Sequence, residues 1–153
     1  MPVLTLAVEV AENAVRQSSG RHQGQFSGSL EAELRVSGPW GVALEVGATG
    51  AAEASTNLAF TQVLVRPAVL ATLTFSGRHF GAMFGVGPAV SITTAIWDAP
   101  SYGAAVFVEP GVRGRTGLIW HVNPHFGVQI LGGATSRGGG SDVDLGAGVR
   151  WTL

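Results

Sequence analysis

Cysteine is missing from the 153 residues, which excludes disulfides, thiolate chemistry and cysteine-held metals. Lysine is missing too. All nine cationic residues are arginine, whose rigid fork suits buried pairing with carboxylates better than a strongly hydrated ammonium does. Charge of either sign is scarce. Asp, Glu, Lys and Arg make up 12% of the chain against roughly 25% in soluble domains, too little to cover an ordinary aqueous surface. A formal net charge of −1 argues against a nucleic-acid partner. There is no uninterrupted apolar run of about 18 residues, so a membrane-crossing helix is excluded; a crossing strand needs only about 9–11 residues and stays open. Nothing marks a linker, so residues 1–153 read as one domain. Met1-Pro2 leads directly into Val3, Leu4 and Leu6 without a basic stretch. A leader, where the protein is exported, is therefore expected to have been removed already.

What the chain does have is period-2 alternation. In its last twelve residues Val143, Leu145, Ala147, Val149, Trp151 and Leu153 share one face, and Asp142, Asp144, Gly146, Gly148, Arg150 and Thr152 the other. Eight segments carry the pattern, at about 3–11, 26–36, 40–49, 60–75, 79–92, 104–122, 126–134 and 142–153. Tight turns at Ser37-Gly38-Pro39, Ser76-Gly77-Arg78 and Asn123-Pro124 alternate with longer polar loops at about 12–25, 50–57, 93–103 and 136–141. The polar face repeatedly consists of charges and glycines. That composition fits an all-β, eight-stranded antiparallel up-and-down transmembrane barrel with lipid outside and a polar, side-chain-filled lumen. Trp40, Phe75, Phe80, Trp120, Phe126 and Trp151 lie beside the tight turns or the C-terminus, as one interfacial aromatic girdle should, with Trp97 and Tyr102 available for the other. Pro67, Pro88 and Pro110 fall inside strand segments, where each deletes a ladder donor and is expected to mark a bulge or a strand end.

The inward phase collects Glu9, Glu31, Glu33, Glu45, Glu109 and Asp144 against Arg35, Arg66, Arg113, Arg115 and Arg150. An eight-stranded barrel is just wide enough for side chains to fill its middle, so these groups are expected to form a closed network rather than line a channel. Repulsion among Glu31, Glu33 and Glu45 calls for arginines reaching across, with Arg66, Arg113 and Arg115 as candidates. Inward glycines at 81, 85, 87, 111, 127, 146 and 148 leave volume for those long side chains.

No catalytic, cofactor or metal site emerges. His22 with Ser18, Ser19 or Ser27 is the one conceivable histidine–hydroxyl set, and no spacing enforces it. His79, His121 and His125 read as solvated turn histidines, since His121 and His125 flank a turn rather than share a helix face.

The hairpin pattern, the segments Arg66-Pro67-Ala68-Val69, Val86-Gly87-Pro88 and Glu109-Pro110-Gly111-Val112-Arg113, and the alternating C-terminal strand resemble the eight-stranded outer-membrane barrels of the OmpA transmembrane domain and OmpX type. Those families typically end in phenylalanine or tryptophan, whereas this chain ends in Leu153 with Trp151 two places earlier. The resemblance implies a bacterial, Gram-negative outer-membrane location, insertion by the barrel-assembly machinery, a setting of bilayer and lipopolysaccharide, and a monomer. The expected role is non-enzymatic, structural or surface-interacting. A small porin-like pore for ions or solutes, a lipid-A-modifying enzyme and a soluble lipocalin-like barrel of opposite phase are the alternatives; the last is disfavoured because its surface would need lysine and more charge.

Overall fold

In the computed structural model every regular element is a β-strand. Residues 2–17, 22–55, 58–99, 102–138 and 140–153 are described, with side chains throughout except at 13–17, 22–24, 51–55, 58–60, 97–99 and 102. The strands are β1 (Val3–Gln17), β2 (His22–Ser37), β3 (Trp40–Ser55), β4 (Leu58–Ser76), β5 (Phe80–Ala99), β6 (Tyr102–Asn123), β7 (Phe126–Arg137) and β8 (Gly140–Thr152). Each pairs antiparallel with its chain neighbour, and β8 closes onto β1 from Thr5↔Thr152 to Gln17↔Gly140. Closure leaves no long open edge, the arrangement a membrane demands of strands.

The tight turns owe their shape to local chemistry. Gly38 takes a positive φ of 55°, which a side chain would resist. Asn123 folds the Asn123-Pro124-His125 turn back on itself: its Oδ1 accepts from the backbone N–H of His125 at 2.9 Å and of Phe126 at 2.8 Å. At the other end the strands run further than alternation indicates. β1 continues to Gln17 and β2 starts at His22; Ala51 to Ser55 belong to β3, Asp98 to β5, and Ser136 and Arg137 to β7. Beyond the apolar band neither face needs to be greasy, so the period-2 contrast fades while the backbone ladder continues.

None of the three prolines marks a bulge. The β4–β5 ladder lapses around Pro67 and Pro88 but resumes in the same register, from Val65↔Ile92 through Ala68↔Ala89 to Ala71↔Val86. Pro110 pairs with Val90, one residue past the last β6–β7 pair, Gly111↔Arg137, where β6 has a strand neighbour on one side only. Register shifts occur instead at Arg35/Ser37, Ile96/Ala99 and His121/Asn123, beside the hairpin ends.

The two faces divide as the alternation requires. Val10, Leu30, Leu118, Ile130 and Leu145 are each 60–69% exposed, an arrangement that water would penalise by about 1.5–3 kcal/mol per side chain. Trp40, Phe75, Phe80, Trp120 and Trp151 stand outward near the short-turn end, and Phe126 packs on Trp151 with ring centroids 5.6 Å apart. The side chains of Trp97 and Tyr102 lie outside the described residues. Phe26 and Phe107, 78% and 54% exposed, occupy the opposite half of the barrel. On the exterior, Gly114, Thr116, Gly132 and Ala134 floor an apolar trough of about 800 Å³ walled by Phe84, Val86, Val143 and Leu145.

Candidate functional site in the barrel lumen

Strands of alternating phase send every second side chain to the axis, and the barrel is narrow enough for opposite walls to touch. Arg113 and Arg115, both inward on β6, reach across to β1, β2 and β3. The Arg113 Nη2 lies 2.8 Å from Glu45 Oε1 and its Nε donates to Glu45 Oε2 at 3.0 Å. Its Nη1 donates to Asp144 Oδ2 at 2.8 Å and to Thr135 Oγ1 at 3.2 Å. Arg115 pairs with three carboxylates, Glu9, Glu31 and Glu45, the last at 3.1 Å. Gln129 Nε2 and Ser29 Oγ complete Glu9 at 2.8 and 3.1 Å.

Toward the long-hairpin end, Arg66 contacts Asp142 at 3.3 Å and Asp144 at 3.4 Å, and Arg137 holds Asp142 at 2.9 Å. Toward the short turns, Glu33 accepts from Arg150 Nη2 at 3.0 Å, Thr72 Oγ1 at 3.0 Å and Thr74 Oγ1 at 2.7 Å. These charges are dry: Glu45 and Asp142 are 0% exposed, Glu33 1% and Arg113 2%. Charge taken from water at that depth persists only when paired and hydrogen-bonded.

Nine of the eleven inward charges anticipated from the sequence are therefore buried and ion-paired: Glu9, Glu31, Glu45, Arg66, Arg113, Arg115 and Asp144 in one network, and Glu33 with Arg150 as a separate pair. Arg35 sits half-buried at the short-turn mouth and donates to Ser76 Oγ at 3.5 Å. Glu109 lies at the other rim, its side chain 35% exposed, and among the described residues pairs with Arg137 at 3.7 Å. The partners also differ from expectation. Arg66 serves the two aspartates rather than the glutamate cluster, and Arg150 rather than a β6 arginine neutralises Glu33. Asp142 and Arg137 join the network beyond the set expected from alternation. Asp142 shares the inward phase of Asp144, which was the available signal; Arg137 is hidden in a glycine-rich stretch that reads as loop.

Crowding explains the inward glycines at the network. A Cβ on Gly133 would lie 2.5 Å from Asp144 Oδ1 and 2.9 Å from Arg113 Nη2. One on Gly148 would lie 2.5 Å from Glu9 Cγ. Two buried apolar clusters accompany the charges: Ala43, Ala68, Leu70 and Ala89, and, toward the short turns, Met83, Ile119 and Leu131.

Ser18 and Ser19 lie outside the described residues, as does the His22 side chain, while Ser27 Oγ donates to the Ala11 carbonyl at 3.3 Å. His79 and His125 are exposed, but His121 is half-buried with its Nε2 out of solvent, unlike the solvated turn residue expected. No three potential metal ligands converge among the described residues.

This architecture is shared with known proteins. Ail, the attachment invasion locus protein of Yersinia pestis, solved with the heparin analogue sucrose octasulfate, superposes at TM-score 0.77 and 10% identity over 99% of each chain. The fold is that of the eight-stranded outer-membrane barrels. Neisserial surface protein A aligns at TM-score 0.73 and 17% identity, over 97% of this chain and 96% of that one. A major outer membrane protein of Thermus thermophilus gives 0.70 and 9%, over 98% and 99%. At such identities the likeness is one of architecture. No family profile and no curated protein matches the sequence.

Proposed function

We propose that this chain is a bacterial outer-membrane barrel that anchors in lipid and presents its longer hairpins at the surface, with a structural or contact role and no catalytic step. The observation that carries the reading is the inverted distribution of polarity. Glu45 and Arg113 are sealed within while Val10, Leu118 and Leu145 stand 65–69% exposed, which suits a barrel solvated by hydrocarbon. The same observation opposes a lipocalin-like barrel, whose apolar face would line the inside. In this reading the short turns face the periplasm, lipopolysaccharide surrounds the opposite half, the barrel-assembly machinery inserts the chain, and the protein is monomeric.

Two features argue for an anchor rather than a pore. The guanidinium–carboxylate bonds span the lumen from wall to wall, and Met83, Ile119 and Leu131 add a buried apolar cluster on the short-turn side of them. Among the described carboxylates of the lumen, each is engaged by arginine, leaving none poised as a general base.

Folding into neutral detergent and electrophoresis with and without boiling tests the reading. Unboiled protein should migrate apart from boiled protein, as a barrel that survives SDS does. Identical migration, together with solubility of the folded chain in detergent-free buffer, would refute it.

A further inference from the structure

The charge of this molecule is segregated along the barrel axis. Of its ten acidic residues, Glu9, Glu31, Glu45, Asp142 and Asp144 belong to the central network, and Glu12, Glu53, Asp98 and Glu109 lie further toward the long hairpins. Glu33 alone remains for the short-turn half. That half carries Arg35, Arg78 and Arg150 and three of the four histidines, His79, His121 and His125. Glu33 is already committed to Arg150 and two threonines. Counting arginine and glutamate alone, the mouth holds three positive charges against one negative.

A cavity of about 600 Å³ opens there, lined by Arg35, Arg78, His79, His121, Asn123 and Arg150 among others. Its size falls in the range of small-molecule sites. Beneath it, three buried nitrogens have no hydrogen-bond partner among the described residues: Arg150 Nη1, Arg35 Nε and His121 Nε2. Arg150 is 4% exposed, so this is a buried guanidinium with half its fork in use and the other half unmet, a costly state unless an acceptor arrives. The central carboxylates are already engaged by Arg66, Arg113, Arg115 and Arg137, so they are not the missing acceptors.

We infer that the short-turn mouth is a binding site for a phosphate-class oxyanion, held by Arg35, Arg78 and Arg150 with His121 beside them. A tetrahedral oxyanion offers several acceptor oxygens to converging donors, and arginine forks engage two at a time. The cavity leaves room for the group that carries the phosphate. Arg35, His121 and Arg150 all belong to the inward phase of their strands, so the donors face the barrel axis, whereas lipid headgroups ring the outside. A soluble phosphate is accordingly the favoured source. The inference concerns one mouth of the barrel and holds whichever compartment that mouth faces.

The test uses the folded chain in uncharged maltoside micelles, titrated with inorganic phosphate and with pyrophosphate, against sodium chloride of equal ionic strength. Binding is read by calorimetry and by the imidazole resonances of His121. A second arm replaces the micelle by bicelles with and without phosphatidylglycerol. Saturable phosphate binding absent with chloride, weakened at least tenfold in the Arg35→Gln, Arg78→Gln double variant, is the expected result; both side chains lie outside the central network, and heat-modifiable migration verifies that the variant folds. A response to phosphatidylglycerol alone, lost in the same variant, supports the site and assigns its phosphate to a headgroup. No response beyond that of chloride in either arm, or equal binding by the variant, would overturn the inference.

Discussion

Replacing Arg113 by methionine removes the cation that ties Glu45 to Asp144 without emptying its volume. The wild-type guanidinium holds Glu45 at 2.8 Å, Asp144 at 2.8 Å and Thr135 at 3.2 Å, and is 2% exposed. Breaking a buried ion pair from one side typically costs about 3–5 kcal/mol, because the abandoned partner stays charged and dry. Here both carboxylates keep a second cation, Glu45 through Arg115 at 3.1 Å and Asp144 through Arg66 at 3.4 Å. The loss should therefore sit at the low end, about 3 kcal/mol. With a urea slope of about 2 kcal/mol per molar, the midpoint falls by roughly 1.5 M. Equilibrium unfolding from micelles, followed by tryptophan fluorescence, measures it, and Arg78→Met, at an exposed turn, serves as the control expected within about 0.5 kcal/mol of wild type. Adding Glu45→Gln to Arg113→Met should restore at least about 1 kcal/mol, since residues in one network are coupled. An Arg113→Met midpoint indistinguishable from that of the control would refute the claim that these bonds hold the lumen together.

Depth should govern the cost of charge on the outer face. Leu145 lies six residues from Trp151 along β8, about 14 Å into the apolar band for a strand tilted about 45°, so Leu145→Arg should lose about 2–4 kcal/mol in lipid vesicles. Leu118, two residues from Trp120, should lose at most about 1 kcal/mol on the same exchange; equal losses would deny the depth assignment. Gly133→Ala, whose new methyl would meet Asp144 and Arg113, should cost about 1–3 kcal/mol by denaturant titration. Gly114→Ala, where nothing lies within 4 Å of the added carbon, should cost under about 1 kcal/mol, and a reversed order would contradict the crowding argument.

The barrel was legible because its physics is written residue by residue. Alternation in segments such as Leu30 to Val36 fixed the phase of each strand, and the phase alone placed Glu31, Glu33 and Arg150 inside. The strand ends were less legible. Once a hairpin leaves the apolar band, as at Ala51 to Ser55, side chains on both faces are small or polar and only backbone bonds define the strand. The prolines misled for a related reason: a missing donor interrupts the ladder, yet neighbouring pairs on both sides hold the register at Val65↔Ile92 and Ala71↔Val86. Pairing across the lumen could not be read at all. Strand order says that β6 opposes β2, but the reach of Arg66 to Asp142 depends on stagger, which alternation does not encode.

Because the chain has no cysteine, single cysteines can be introduced along one strand pair and labelled with a fluorophore in vesicles containing brominated lipid. Labels at Ile130 and Leu145 should be strongly quenched by the bromines, and labels at Gln129 and Thr135 should not. Quenching that fails to alternate, or that favours positions 129 and 135, would contradict the assignment of hydrocarbon to the outside and charge to the interior.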